Sequence, residues 1–288
     1  MDRPSRPARV LASALATGAL LVTAACAGDT GPPEAAPASP AAKQSPSSPS
    51  LSSLSSSSQS PSPSSPSASA SRALTTNGAK AALITEADIE DAWTQVNNAS
   101  SWRDKLLAGK VDVASFLNGK TSSQDCQKLL DGLYSDTLLG RPVGASALTG
   151  FTQGDARLLY QVGDYGKGSL EKSLDWMKSL SDTCDQFTVT GSDGGKRTVQ
   201  VVSSPLPAVG DGRQGLTLTV QGTSNGEPVT LKLDVGAVRV GSSGILVTNG
   251  GPSGVDHDST ETAVQQGTQR LRQVLAGKTP SPTPTTLD

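Results

Sequence analysis

Three regimes of apolar and polar positions follow one another along the chain. Val10 to Val22 is almost uniformly apolar, VLASALATGALLV. From Ala27 to Arg72 large apolar residues nearly vanish into Ser, Pro and Ala. From Leu83 onward hydrophobic residues return with the periods of folded elements. Ile89, Ala92, Trp93 and Val96 fall at i, i+3, i+4 and i+7, which predicts a helix. Thr85 would cap it, with Glu86 and Asp88 at the positive end of its dipole. The stretch from Trp102 to Leu117 is irregular and predicts short helical pieces, with Leu106, Leu107, Val113 and Phe116 turned inward. Cys126, Leu129, Leu130 and Leu133 share a face and predict a second helix over 122–134. Leu170, Leu174, Met177 and Cys184 do the same for a third over 169–183.

Period-two alternation fills most of the remainder. Leu148 to Thr152 and Ala156 to Val162 flank Gln153-Gly154-Asp155; Phe187 and Val189 precede the turn Asp193-Gly194-Gly195 and a strand from Thr198 to Val202. Leu216, Leu218 and Val220 lead through Asn225-Gly226 into Val229, Leu231, Leu233 and Val235. Val238 to Val240 and Ile245 to Val247 are joined across Gly241 to Gly244. Alternation with short glycine turns predicts antiparallel hairpins with one wet face. A last helix is expected from about Asp258, with Val264, Gly267, Leu271 and Val274 buried and Gly277 as its stop. The fold class expected is therefore α+β, a single domain whose antiparallel meander is packed by several helices.

Composition changes the reading of the first third. Arg3, Arg6 and Arg9 precede the apolar run, which is short for a membrane span and ends in Ala24 and Ala25. That is the pattern of a secretory signal over residues 1–25. The next residue is Cys26, so the junction resembles a bacterial lipobox, with Thr23 where an aliphatic residue is usual. The resemblance implies lipidation of Cys26 and anchoring to the outer face of the cytoplasmic membrane. Residues 26–82 read as the lipidated Cys26 and a disordered tether, because a Ser/Pro/Ala tract cannot bury enough apolar surface to offset the entropy of ordering. Extended at ~3 Å per residue, it would reach on the order of 100 Å. The folded domain is expected over 83–277, and a disordered tail over 278–288.

There are three cysteines. With Cys26 lipidated, Cys126 and Cys184 remain as an even pair in an oxidising compartment, so a disulfide between them is expected. The formal charge is −2 and aromatic residues make up 3% of the chain, which disfavours nucleic acid as a partner. His257, the only histidine, lies in Asp256-His257-Asp258, read as a solvated turn that Asp258 caps. Sequence neighbours do not assemble a catalytic triad, and one imidazole with two adjacent carboxylates is a poor metal set. Gly210-Asp211-Gly212-Arg213-Gln214-Gly215 matches a dinucleotide fingerprint by letter, but a strand-like segment follows it and not a helix. No catalytic residue, metal or cofactor is expected, and ligand contacts stay unassigned.

The ordered series of parts carries a family resemblance. A leading helix, DCQKLLDGL, a hairpin ending in LLYQVGDY, a helix running into LSDTCDQF, a meander containing VRVGSSGILV and a closing helix together resemble the extracellular sensor domain of mycobacterial PknH-type receptor kinases. The same domain occurs on actinobacterial lipoproteins. The resemblance implies a curved sheet, a ligand cleft and no catalytic residues. Many such domains have two disulfides, whereas this chain could form one. The function expected is a non-catalytic, ligand-binding or sensor-like domain on a membrane-anchored, extracytoplasmic lipoprotein, monomeric, taking a small-molecule or cell-wall ligand. The alternative is an accessory structural envelope lipoprotein that meets protein or wall partners without a small ligand.

Overall fold

The computed structural model describes residues 72–89, 92–192 and 194–281. Cys26, the expected signal and nearly all of the expected tether lie outside the described residues, as does most of the expected tail.

The described chain opens on α1 (Thr76–Ala81), where the Thr75 hydroxyl accepts from the Gly78 N–H at 3.0 Å. A 3-10 turn at Glu86–Asp88 leads to β1 (Thr94–Val96), and another at Ala99–Ser101 leads to the small hairpin of β2 (Leu107–Ala108) and β3 (Val111–Asp112). Then come α2 (Val113–Leu117), α3 (Gln124–Gly132), β4 (Ser146–Gln153), β5 (Ala156–Asp164) and α4 (Lys167–Thr183). The meander follows as β6 (Gln186–Thr190), β7 (Lys196–Ser204), β8 (Gly212–Ser224), β9 (Glu227–Val240) and β10 (Ser243–Gly251), and α5 (His257–Leu275) closes the fold.

Eight strands form one antiparallel sheet in the order β1-β4-β5-β10-β9-β8-β7-β6. Alternation along each strand sends side chains to two separate cores. Leu159, Val199, Val201, Leu216, Leu218, Leu231, Leu233 and Leu246 face α2, α3 and α4. Leu158, Tyr160, Val162, Val238, Ile245 and Val247 face α1 and α5. Helix α5 passes so close to the sheet at Gly267 that a β-carbon there would overlap the Tyr160 ring. The α5 side is uncovered over β6 to β8, where Thr188, Thr198, Gln200 and Gln221 are exposed, the wet face that alternation predicts. Asn225 and Gly226, at φ 52° and 82°, make the tight turn between the two longest strands.

Four expectations are corrected. No helix runs from Thr85 to Val96: Ala92 takes φ 61°, and Gln95 pairs with Phe151 of β4. Ile89 and Trp93 are buried as the periodicity required, but irregular backbone puts them there. Folded structure starts before Leu83, since α1 inserts Ala79 and the preceding Leu74 into the α5-side core. Leu107, expected inward, is 56% exposed, because β2 is an edge hairpin that turns alternate residues out. Val238 to Val240 is no separate strand; β9 runs unbroken through Gly236, opposite Gly215 of β8.

Candidate functional site

A cleft of about 510 Å³ opens between the turn after Ala99–Ser101, α2 and the C-terminal end of α3. Its floor is buried and apolar: Trp102, Leu117, Leu130, Leu133 and Tyr134. Its rim is exposed and polar: Arg103, Asp104, Ser115, Asn118 and Asp131. The surface the cleft presents is mostly polar, with the apolar residues packed behind it.

Local chemistry sets each wall. Asp112 accepts from the Ser115 N–H at 3.3 Å to start α2, and Ser123 accepts from the Cys126 N–H at 3.4 Å to start α3. The buried stripe of α3 then places Cys126 and Leu129 in the core and brings Leu130 to the cleft floor. The helix stops at Gly132, where a β-carbon would collide with Leu138. Tyr134 follows at φ 51°, a left-handed conformation that costs a bulky residue on the order of 1–3 kcal/mol. Its surroundings fix it there. The Tyr134 hydroxyl shares its one proton between the carbonyl oxygens of Arg157 and Gly250, each 3.1 Å away, and its ring meets Trp102 edge-on at 6.2 Å between centroids. Burial pushes the phenol far above its ordinary pKa, so it remains a neutral donor.

The walls are pinned to the sheet. Cys126 is bonded to Cys184, with 5.6 Å between α-carbons, and ties α3 to the end of α4. Arg197 donates to the Asn118 carbonyl at 3.3 Å and lies over the Phe116 ring, fixing the end of α2 to β7. Arg157 donates through Nε and Nη2 to the Leu107 carbonyl, at 3.0 and 2.6 Å, and holds the small hairpin to β5. A second hollow, of about 520 Å³ beside Lys120, Ser123 and Gln127, is more open and has no aromatic lining.

His257 does not sit in a solvated turn. It opens α5 with Nδ1 2.6 Å from Oδ2 of Asp234, a β9 carboxylate only 2% exposed. The Thr217 hydroxyl donates to the other oxygen of Asp234 at 2.6 Å. Asp256, not Asp258, caps the helix, accepting from the Asp258 N–H and the Ser259 hydroxyl. Thr217 thus engages the carboxylate and not the imidazole, so the order of a nucleophile–base–acid relay is not met. The Gly210–Gly215 segment runs from a left-handed Gly210 into β8, a strand with no helix N-terminus to hold phosphate. Among the described residues no three His, Cys, Asp or Glu side chains cluster to hold a metal, and no helix is long and apolar enough to cross a membrane.

Sequence reasoning named none of the cleft residues and missed Asp234. A cleft floor is a tertiary product of three segments, and periodicity marks its residues only as buried. Asp234 sits at an outward position of an alternating strand, which reads as solvated until α5 covers it.

No protein-family model matches the chain, and no curated protein matches it. Among solved structures it is similar to the crystal structure of the extracellular domain of PknH from Mycobacterium tuberculosis, at 10% identity and a TM-score of 0.43, over 71% of this chain and 100% of that one. The likeness is a weak one of fold, and no residue role passes through it.

Proposed function

We propose that the chain is an extracytoplasmic, lipid-anchored and non-catalytic binding protein that takes a small amphipathic ligand in the Trp102–Tyr134 cleft. The observation that carries this reading is the cleft itself: a concavity of about 510 Å³ with a rim of mixed charge over a packed floor that includes Trp102, Leu130 and Tyr134. The floor would receive an apolar body of the ligand against Leu117, Leu130 and Leu133. Arg103, Asp104 and Asp131 at the rim would orient a polar head. Cys26 would carry the anchor, and the tract after it would hold the domain off the membrane.

Native mass spectrometry of the full chain, extracted from its own envelope in mild detergent, tests the reading. The expected result is a non-covalent adduct that is lost in Ser115→Trp, a substitution at an exposed rim position that fills the mouth. A chain that carries no adduct, or one that survives Ser115→Trp, would count against the cleft and favour an accessory structural role. For the anchor, Cys26→Ser should abolish membrane fractionation; unchanged fractionation would refute it.

A further inference from the structure

We infer that His257 is a pH-dependent latch: doubly protonated, its ring clamps the first turn of α5 to Asp234, and on losing a proton it lets that turn open. Asp234 is buried on β9 and already takes the Thr217 hydroxyl, so the His257 Nδ1–H, at 2.6 Å, completes its coordination. Nε2 is buried, lies 3.5 Å from Oε1 of Glu261 and faces the Pro205 carbonyl. Only the doubly protonated ring presents an N–H on both sides, one to each carboxylate.

The groups around the ring decide the sign. From α5 come Asp256, Asp258 and Glu261. From β9 comes Asp234, with Lys232 two positions before it on the same face. Uncharged partners are Thr217 on β8, the Pro205 carbonyl, and Asn249 of β10, whose amide holds the Asp256 carbonyl and Thr260. A cation at a helix N-terminus is opposed by the dipole, and the ring is one-third exposed, so the latch depends on the local carboxylates. Burial by itself lowers the pKa of the ring. The hydrogen bond and charge of Asp234, the charge of Glu261 and the Pro205 carbonyl outweigh burial and hold it above the ordinary value. The latch contribution is therefore complete below the unfolded value of about 6.5 and is lost as pH rises through the folded one. The turn that opens is the one whose Ser259 hydroxyl accepts from the Trp93 indole at 3.2 Å, so release would also loosen β1 from α5.

Because the chain has one histidine, an untagged full chain gives a single imidazole to titrate by its ring C–H resonances. The expected midpoint lies above the ordinary histidine value. Amide protection in the second turn of α5, whose N–H groups donate to the first-turn carbonyls, should fall with rising pH by about tenfold for each pKa unit that the folded state has gained. His257→Gln should make that local protection independent of pH. A midpoint at or below the ordinary value, or the same fall in His257→Gln, would overturn the latch. If His257→Gln does not fold, Asp234→Asn serves instead: the midpoint must drop toward the ordinary value, and an unchanged titration refutes the mechanism.

Discussion

The two faces of the sheet are held by different physics. On the α3–α4 side the cement is covalent and apolar: the Cys126–Cys184 bond, leucine-rich packing and the Trp102–Tyr134 contact. On the α1–α5 side a smaller apolar core is threaded by buried polar links. Arg270 pairs with Asp88 at 3.1 Å and donates to the Ala81 carbonyl, Asp234 holds His257, and Asn249 ties the Asp256 carbonyl to Thr260. The first arrangement answers to redox state and little to pH. The second answers to pH and not to reductant. The cleft thus lies on the disulfide-bonded face, and His257 lies on the other.

The contrast breaks most sharply at the buried ion pair. Asp88→Ala leaves the Arg270 charge buried without its carboxylate and strips the Thr85 cap, so a loss of about 3–5 kcal/mol in denaturant unfolding is expected. A loss under about 1 kcal/mol would mean that Arg270 finds water. Next is the disulfide. Its partners are 58 residues apart, for which loop-closure entropy gives about 4 kcal/mol, with measured values often lower. The double change Cys126→Ser, Cys184→Ser should lower the melting temperature while Arg270 and Asp88 keep their pairing; insensitivity to reductant would sink the covalent half of the contrast.

Tyr134→Phe keeps the ring and removes the hydroxyl from the Arg157 and Gly250 carbonyls. A cost of about 1–2 kcal/mol is expected, with weaker ligand retention. An unchanged stability would show that the left-handed tyrosine is held by packing alone. Smallest is the pH effect. Because the His257 pKa is raised, unfolding stability should decline as pH rises from about 6.5 through that raised value, and the decline should vanish in His257→Gln. Stability that rises over this window would invert the assignment.

Much of this fold was legible because period and packing coincide. The stripe through Cys126, Leu129 and Leu130 and the alternation from Leu216 to Val235 each point to one core, and both elements stand where the pattern puts them. Legibility ends where a segment buries residues without a period. Ile89 and Trp93 match a helix by spacing, yet strand pairing with β4 and a left-handed Ala92 win. The cleft was invisible for a related reason: Trp102, Leu117 and Tyr134 come from three short segments whose meeting depends on Arg157 and Arg197 reaching backbone carbonyls. His257 was misread as solvated because its partner is 23 residues away on a strand.

The Trp102–Tyr134 cleft is proposed as a ligand site on the disulfide-bonded face of the sheet. Its most direct test is a crystal structure of the chain as purified from its native envelope, without added ligand. Continuous density is expected seated on Leu130 and Leu133, with a polar end at Arg103 or Asp131, and wall positions unchanged after the ligand is extracted. A ligand seated elsewhere, such as the groove that Val209 and Arg272 line beside α5, or a cleft whose walls collapse when emptied, would contradict it.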